Sequence, residues 1–136
     1  MGDLYSLCGD NCCLGGDFNV VRFNSEKSNG GRETASMRDF NGFIQETNLR
    51  DPCLLNASFT WSNLRVGAVY RRLDRFLFSA GWENLFPLVW HKALPRIFSD
   101  HCPIELDTST LKWGLGPFRF ENSWLEHPDI KRILKD

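Results

Sequence analysis

This sequence predicts an α/β or α+β layered domain, on three observations. Strand candidates recur along the chain, either alternating or continuously apolar. One amphipathic helix sits among them, and nothing repeats or falls into low complexity. At 136 residues the chain is one domain at most, long enough for a modest core.

The elements follow in order. Residues 1–11 are polar and mixed. Cys12-Cys13-Leu14-Gly15-Gly16 leads into Asp17 and predicts a short buried strand that ends at the glycine pair, where the backbone needs freedom to turn. Asn24 to Arg32 is polar and glycine-bearing, a loop by composition. Met37, Phe40, Phe43 and Ile44 recur at helical spacing, which predicts a helix from Ser36 to about Thr47. Thr34 or Ser36 can cap it, and Asp51-Pro52 lies past its end. Ser58 to Ser62 reads as a strand. Val69 to Phe78 is the clearest strand of all, with Val69, Arg71, Leu73, Arg75 and Leu77 on one face and Tyr70, Arg72, Asp74, Phe76 and Phe78 on the other. Trp82 to Phe86 suits one helical turn, and Leu88 to Leu94 and Cys102 to Leu106 suit further strands. After Asp107 the character changes. A loop with two Gly and a Pro is followed by an aromatic stretch, Phe118, Phe120, Trp124 and Leu125, and a short charged helix from Asp129 to Lys135.

Composition narrows the class. Aromatic content of 13% is high and places large side chains in a core or along a groove. The formal net charge of −1 gives no global electrostatic case for nucleic acid or membrane, so attraction to phosphates must come from a local patch. Arg65, Arg71, Arg72 and Arg75 form the one dense basic patch. It suits either a phosphate backbone or a solvated strand edge. No apolar run reaches membrane-spanning length. The Cys residues, 8, 12, 13, 53 and 102, are odd in number and follow no signal peptide, which argues for reduced thiols and an intracellular setting. A zinc reading of Cys8, Cys12 and Cys13 is weaker than that of small apolar residues entering a strand. Met1-Gly2-Asp3-Leu4-Tyr5-Ser6 fits the loose myristoylation pattern, and Asn56-Ala57-Ser58 is a formal sequon better read as a turn.

Three acid-bearing segments carry the chemistry: Gly16-Asp17-Phe18-Asn19, Arg72-Leu73-Asp74-Arg75 and Ser99-Asp100-His101-Cys102. Each stands at the edge of a strand candidate. Alone, each reads as a turn, a solvated ion pair or a capped loop. Together they suggest metal-assisted phosphodiester chemistry, which needs an activated water, charge stabilisation at the phosphoryl oxygens and help for the leaving oxygen. His101 can bond or protonate a phosphate oxygen if an acceptor orients its ring, and Asp74 suits that orienting part. Asp17 can position or deprotonate the water. Asn19 can hold the phosphate or steady Asp17.

The order of these segments, with Thr60-Trp61 and the run Arg72-Leu73-Asp74-Arg75-Phe76-Leu77-Phe78-Ser79, resembles the endonuclease/exonuclease/phosphatase superfamily. Leu14 to Arg22, Asn56 to Asn63 and Phe118-Arg119-Phe120-Glu121-Asn122 resemble its plant LINE-type retroelement branch. The resemblance runs from about Cys13 to Trp124. It implies the C-terminal part of a four-layer α/β/β/α sandwich of the DNase I type, with the N-terminal half absent. The division is then 1–12 unassigned, 13–107 a partial domain and 108–136 a linker or tail. It implies Asp17, Asn19, Asp74 and His101 as catalytic residues and Asp100 as a metal-associated or electrostatic aspartate. It further implies Mg2+ as cofactor and DNA as partner, contacted by Arg71, Arg72, Arg75 and Trp61, although Trp61 equally suits the core. The family's metal-binding Glu precedes the Gly-Asp-x-Asn segment, whereas only 16 residues precede Asp17 here. Glu26 and Glu33 come too late in the order to replace it. The expectation is therefore a truncated DNA-nicking domain with little or no activity alone. The alternatives are a non-catalytic nucleic-acid-binding remnant and, last, a small-phosphoester phosphatase. A half-sandwich would also expose a sheet face and favour self-association.

Overall fold

The structure, a computed structural model, describes residues 9–108. In chain order it contains β1 (Cys13–Asp17), a 3-10 turn (Asn24–Glu26), α1 (Ala35–Glu46), β2 (Trp61–Ser62), β3 (Tyr70–Arg71), β4 (Asp74–Phe78), α2 (Ala80–Leu85), β5 (Trp90–Ala93) and β6 (Ile104–Asp107). Helices are combined with small antiparallel sheets, β1 with β4, β2 with β3, and β5 with β6, an α/β arrangement. The expected Phe118–Leu125 aromatic stretch and Asp129–Lys135 helix lie outside the described residues, as do Cys8 and the Met1–Ser6 pattern.

The helix forms where its periodicity predicts. Thr34 caps it, its Oγ1 accepting from Met37 N at 3.3 Å while Met37 Sδ accepts from Thr34 N at 3.4 Å. Met37, Phe40 and Ile44 are the buried positions. The helix stops at Thr47, whose hydroxyl turns back to the Phe43 carbonyl at 2.6 Å. Asn48 then takes a left-handed φ of 52°, which reverses the chain and buries Leu49 beside Ile44.

The core has two parts. Phe40, Ile44, Leu49 and Leu77 form one, with Leu14, Phe18, Val20 and Phe43 packed on it. Val21, Met37 and Leu73 form the other, with Trp61 against it. Leu77 is fully buried, and burying a Leu side chain is worth about 1.5–3 kcal/mol. The short helix α2 begins at Ser79, whose Oγ accepts from Trp82 N at 3.2 Å and from Cys12 N at 2.9 Å. One hydroxyl thus caps a helix and anchors the entry to β1.

Four expectations need correction. β1 is neither buried nor ended by the glycine pair: it runs through Gly15 and Gly16 to Asp17, and those three residues are exposed. A Cβ on Gly15 would collide with the Phe76 ring, so this glycine serves close approach between strands rather than a turn. The single strand from Val69 to Phe78 is two strands in different sheets. At the break, Arg72 N donates to Glu26 O at 2.9 Å, and Leu73 N and Asp74 N both donate to Thr60 Oγ1 at 3.0 Å. Backbone donors that would continue a ladder go to a loop and a side chain instead, and the two-residue alternation fails there. Only Trp61–Ser62 of the Ser58–Ser62 candidate is strand, because the Thr60 side chain is turned inward to that break. Finally, Cys13, Cys53 and Cys102 are free thiols, but Cys12 is disulfide-bonded, a pairing that composition and spacing do not reveal.

Candidate functional site

The site is assembled by strand register. The antiparallel ladder of β1 and β4 sets Asp17 directly opposite Asp74, so two carboxylates from distant segments meet at one sheet end. β2 lies between β3 and the His101 segment: Trp61 pairs with Arg71 on one side and with His101 on the other. On that second side Ser62 N donates to Asp100 O at 3.0 Å, and Cys102 N to Thr60 O at 2.6 Å. The imidazole is thereby delivered to the same end of the sheet.

There His101 Nδ1 lies 2.8 Å from Asp74 Oδ2, and His101 Nε2 lies 3.9 Å from Asp17 Oδ2. The first distance is a charge-assisted hydrogen bond; the second is too long for one. With Nδ1–H donating to Asp74, the other ring nitrogen is left facing Asp17 across a gap that one water can bridge. Partial burial works against charge on the ring. The hydrogen bond and charge of Asp74, with the charges of Asp17 and Asp100, outweigh it and raise the His101 pKa above its ordinary value. Asp17, Asp74 and His101 each offer one ligand atom, all within 4.8 Å of one another, a group able to hold a metal ion.

Asn19 stands beside this group in a left-handed turn with φ of 54°, and its N–H donates to Asp17 Oδ1 at 2.8 Å. Asparagine tolerates that backbone, and the bond fixes one oxygen of Asp17 while Oδ2 stays on the His101 side. Asp100 is outside the three-residue group. Its Oδ2 accepts from the Trp61 indole N–H at 2.8 Å, and chiefly that bond lowers its pKa. Trp61 is half-buried and serves both readings given to it: one part packs on Val21, Met37 and Leu73, while the Arg71 guanidinium lies 5.7 Å over its ring.

The arginines divide. Arg71 is exposed. Arg72 and Arg75, expected with it on a DNA-facing surface, are 6% and 0% exposed. They point inward to two carboxylates. Arg75 bonds Glu26 at 3.0 and 3.1 Å and Asp51 at 2.7 Å. Arg72 bonds Glu26 at 3.0 Å and Asp51 at 2.8 Å. Arg22 adds a contact to Asp51 at 3.2 Å. Burial opposes the charges on Glu26 and Arg75, but each overcomes it through the other: the Glu26 pKa is lowered and that of Arg75 raised. This network clamps the backbone on both sides of Asp74. Period-two alternation put Arg72 and Arg75 on opposite faces; the break at Leu73 turns both the same way.

Sequence reasoning missed Glu26, Asp51 and the part played by Thr60. The sequence presents Glu26 only as an out-of-order substitute metal ligand and Asp51 only as a helix boundary. The signal available was an excess of arginine in a strand with two buried positions to fill, which calls for acidic partners elsewhere in the chain.

A family model described as the endonuclease/exonuclease/phosphatase family matches residues 3–101 of the chain. No curated protein matches it.

Proposed function

We propose, since this chain belongs to the endonuclease/exonuclease/phosphatase family, that it is a metal-dependent phosphodiesterase domain of the DNA-nicking kind found in plant LINE-type retroelements, weak or inactive alone. In this reading residues 13–107 are the C-terminal part of a four-layer α/β/β/α sandwich. The observation that carries the reading is the His101 ring, bonded to Asp74 through Nδ1 at 2.8 Å with Nε2 turned to Asp17 at 3.9 Å.

The donor set fits Mg2+ at one residue. Magnesium takes oxygen ligands, keeps several waters and needs only one or two carboxylates beside a substrate phosphate. Asp17 is exposed with Oδ2 uncommitted to a direct hydrogen bond, whereas Asp74 is engaged by His101, and imidazole is a poor magnesium ligand. Asp17 would therefore hold the ion, which supplies polarisation of a phosphoryl oxygen when bound. Asp74 fixes the His101 tautomer and favours its charged form. His101 Nε2 then donates to a phosphate oxygen, either stabilising developing charge or protonating it. Asn19 holds Asp17 in place, and its amide can contact the phosphate. Asp100 contributes negative charge at the rim of the site. Weak activity is expected in this reading because Asp17 alone would hold the ion, Asp74 being bonded to His101.

Nicking of supercoiled plasmid with Mg2+, against an EDTA control, tests this. EDTA-sensitive nicking above background that disappears in His101→Ala supports the active site. Nicking that persists in His101→Ala refutes it. The exposed Arg71 over the Trp61 ring favours a second reading, a remnant that binds nucleic acid without cleaving it. Salt-sensitive filter retention without EDTA-sensitive nicking would select that reading. Among the described residues no helix is long and apolar enough to cross a membrane.

A further inference from the structure

Thr60 bonds the backbone of Asp74 and that of Cys102, the residue after His101. It is fully buried. Its Oγ1 accepts two hydrogen bonds, from Leu73 N and from Asp74 N, each 3.0 Å. Its carbonyl accepts from Cys102 N at 2.6 Å, and its own N–H donates to Arg71 O at 2.9 Å. The side chain therefore holds Leu73, the residue before β4, and the N–H of Asp74 itself, while the carbonyl holds the residue next to His101. We propose that Thr60 is a positioning residue that sets the distance between Asp74 and His101, and so the readiness of the imidazole to act on a phosphodiester.

The chemistry calls for this residue type. A hydroxyl has two lone pairs and can accept from two adjacent N–H groups, which no ladder carbonyl reaches at the break between β3 and β4. Serine keeps that oxygen. Valine keeps the shape but leaves two buried N–H groups without an acceptor, and the segment must shift to satisfy them. A shift of about 1 Å in a reacting group costs on the order of a hundredfold in rate. Thr60's hydrogen bonds all run to backbone groups, so it acts through the backbone it holds.

This inference rests on the reading of Asp74–His101 as a working pair, but its test has a readout that needs no turnover. In 1H NMR of the full chain, the His101 Nδ1–H held by Asp74 gives a downfield resonance, assigned by its loss in His101→Ala. That resonance is expected in wild type and Thr60→Ser, and lost or broadened in Thr60→Val. Thr60→Cys, with a weak acceptor in similar volume, should weaken it and serves where the valine variant does not fold. Leu77→Ala, destabilising but remote from the hydroxyl, should leave it in place. In the nicking assay Thr60→Val should lose roughly tenfold to a hundredfold in kcat at unchanged KM, with Thr60→Ser close to wild type. A folded Thr60→Val or Thr60→Cys that keeps the resonance at full strength overturns the proposal. The separate failure of the nuclease reading would appear as nicking that survives His101→Ala, with the NMR result standing.

Discussion

Replacing Arg75 with Ala should remove a large share of the stability of this domain without acting as the loss of a DNA contact. The guanidinium is 0% exposed and donates to Glu26 at 3.0 and 3.1 Å, Asp51 at 2.7 Å, Val20 O at 3.2 Å and Arg72 O at 2.8 Å. It also lies 5.4 Å over the Phe40 ring. Truncation leaves two buried carboxylates sharing Arg72, with the Arg22 guanidinium reaching Asp51 and the Arg22 N–H reaching Glu26. Removing one partner of a buried ion pair costs about 3–5 kcal/mol, against about 5–15 kcal/mol for a whole domain. Urea unfolding followed by circular dichroism measures this, with Arg71→Ala as the exposed control, expected within about 0.5 kcal/mol of wild type. In the proposed DNA-binding role, at a temperature where both variants remain folded, Arg71→Ala should reduce the salt slope of DNA binding by about 1, and Arg75→Ala should leave it unchanged. An Arg75→Ala variant within about 1 kcal/mol of wild type, or one that lowers the salt slope as Arg71→Ala does, would refute the buried-network account.

Further outcomes follow from other parts of the molecule. The folded-state pKa of Glu26 lies below its unfolded value, so its stabilisation is present above about pH 4.3 and lost as pH falls through the lower folded value; urea midpoints should drop across that acid window, and Glu26→Gln, less stable at neutral pH, should show a flatter profile. The folded pKa of His101 is raised, so its contribution is present below about pH 6.5 and lost as pH rises through the higher folded value. NMR titration of the ring should give a midpoint above that of free histidine in wild type and a lower one in Asp74→Asn; equal midpoints would remove Asp74 as its partner. Leu77→Ala should cost about 2–5 kcal/mol in the same denaturation assay. Gly15→Ala should cost about 1–3 kcal/mol, because the new methyl must displace the Phe76 ring, and a neutral result would show that the ring moves aside freely.

Local patterns carried much of this fold into the sequence. The α1 helix, with Thr34 or Ser36 as its cap and Met37, Phe40, Phe43 and Ile44 on its apolar stripe, follows from spacing because a helix is satisfied within itself; the structure selects Thr34 and leaves Phe43 partly buried. The approach of Asp17, Asp74 and His101 was legible as a set of strand-edge acids and a histidine, since strand ends converge wherever a small sheet closes. What alternation could not show was a strand interrupted at Leu73. That break depends on Thr60 and Glu26, distant in sequence, taking over backbone donors. The division of the arginines follows from it: Arg71 faces solvent while Arg72 and Arg75 turn inward, and four neighbouring cations look alike until their acceptors are known. Asp100 was likewise legible as an acid beside the histidine, but its indole partner was not.

The five charges gathered by Arg22, Glu26, Asp51, Arg72 and Arg75 also constrain how this gene can drift. Losing either carboxylate leaves three cations around one acid, and losing Arg72 or Arg75 removes hydrogen bonds from both carboxylates, so copies that accumulate changes one at a time pass through destabilised intermediates. Viable descendants should keep the five together or exchange them together for apolar residues of matching volume.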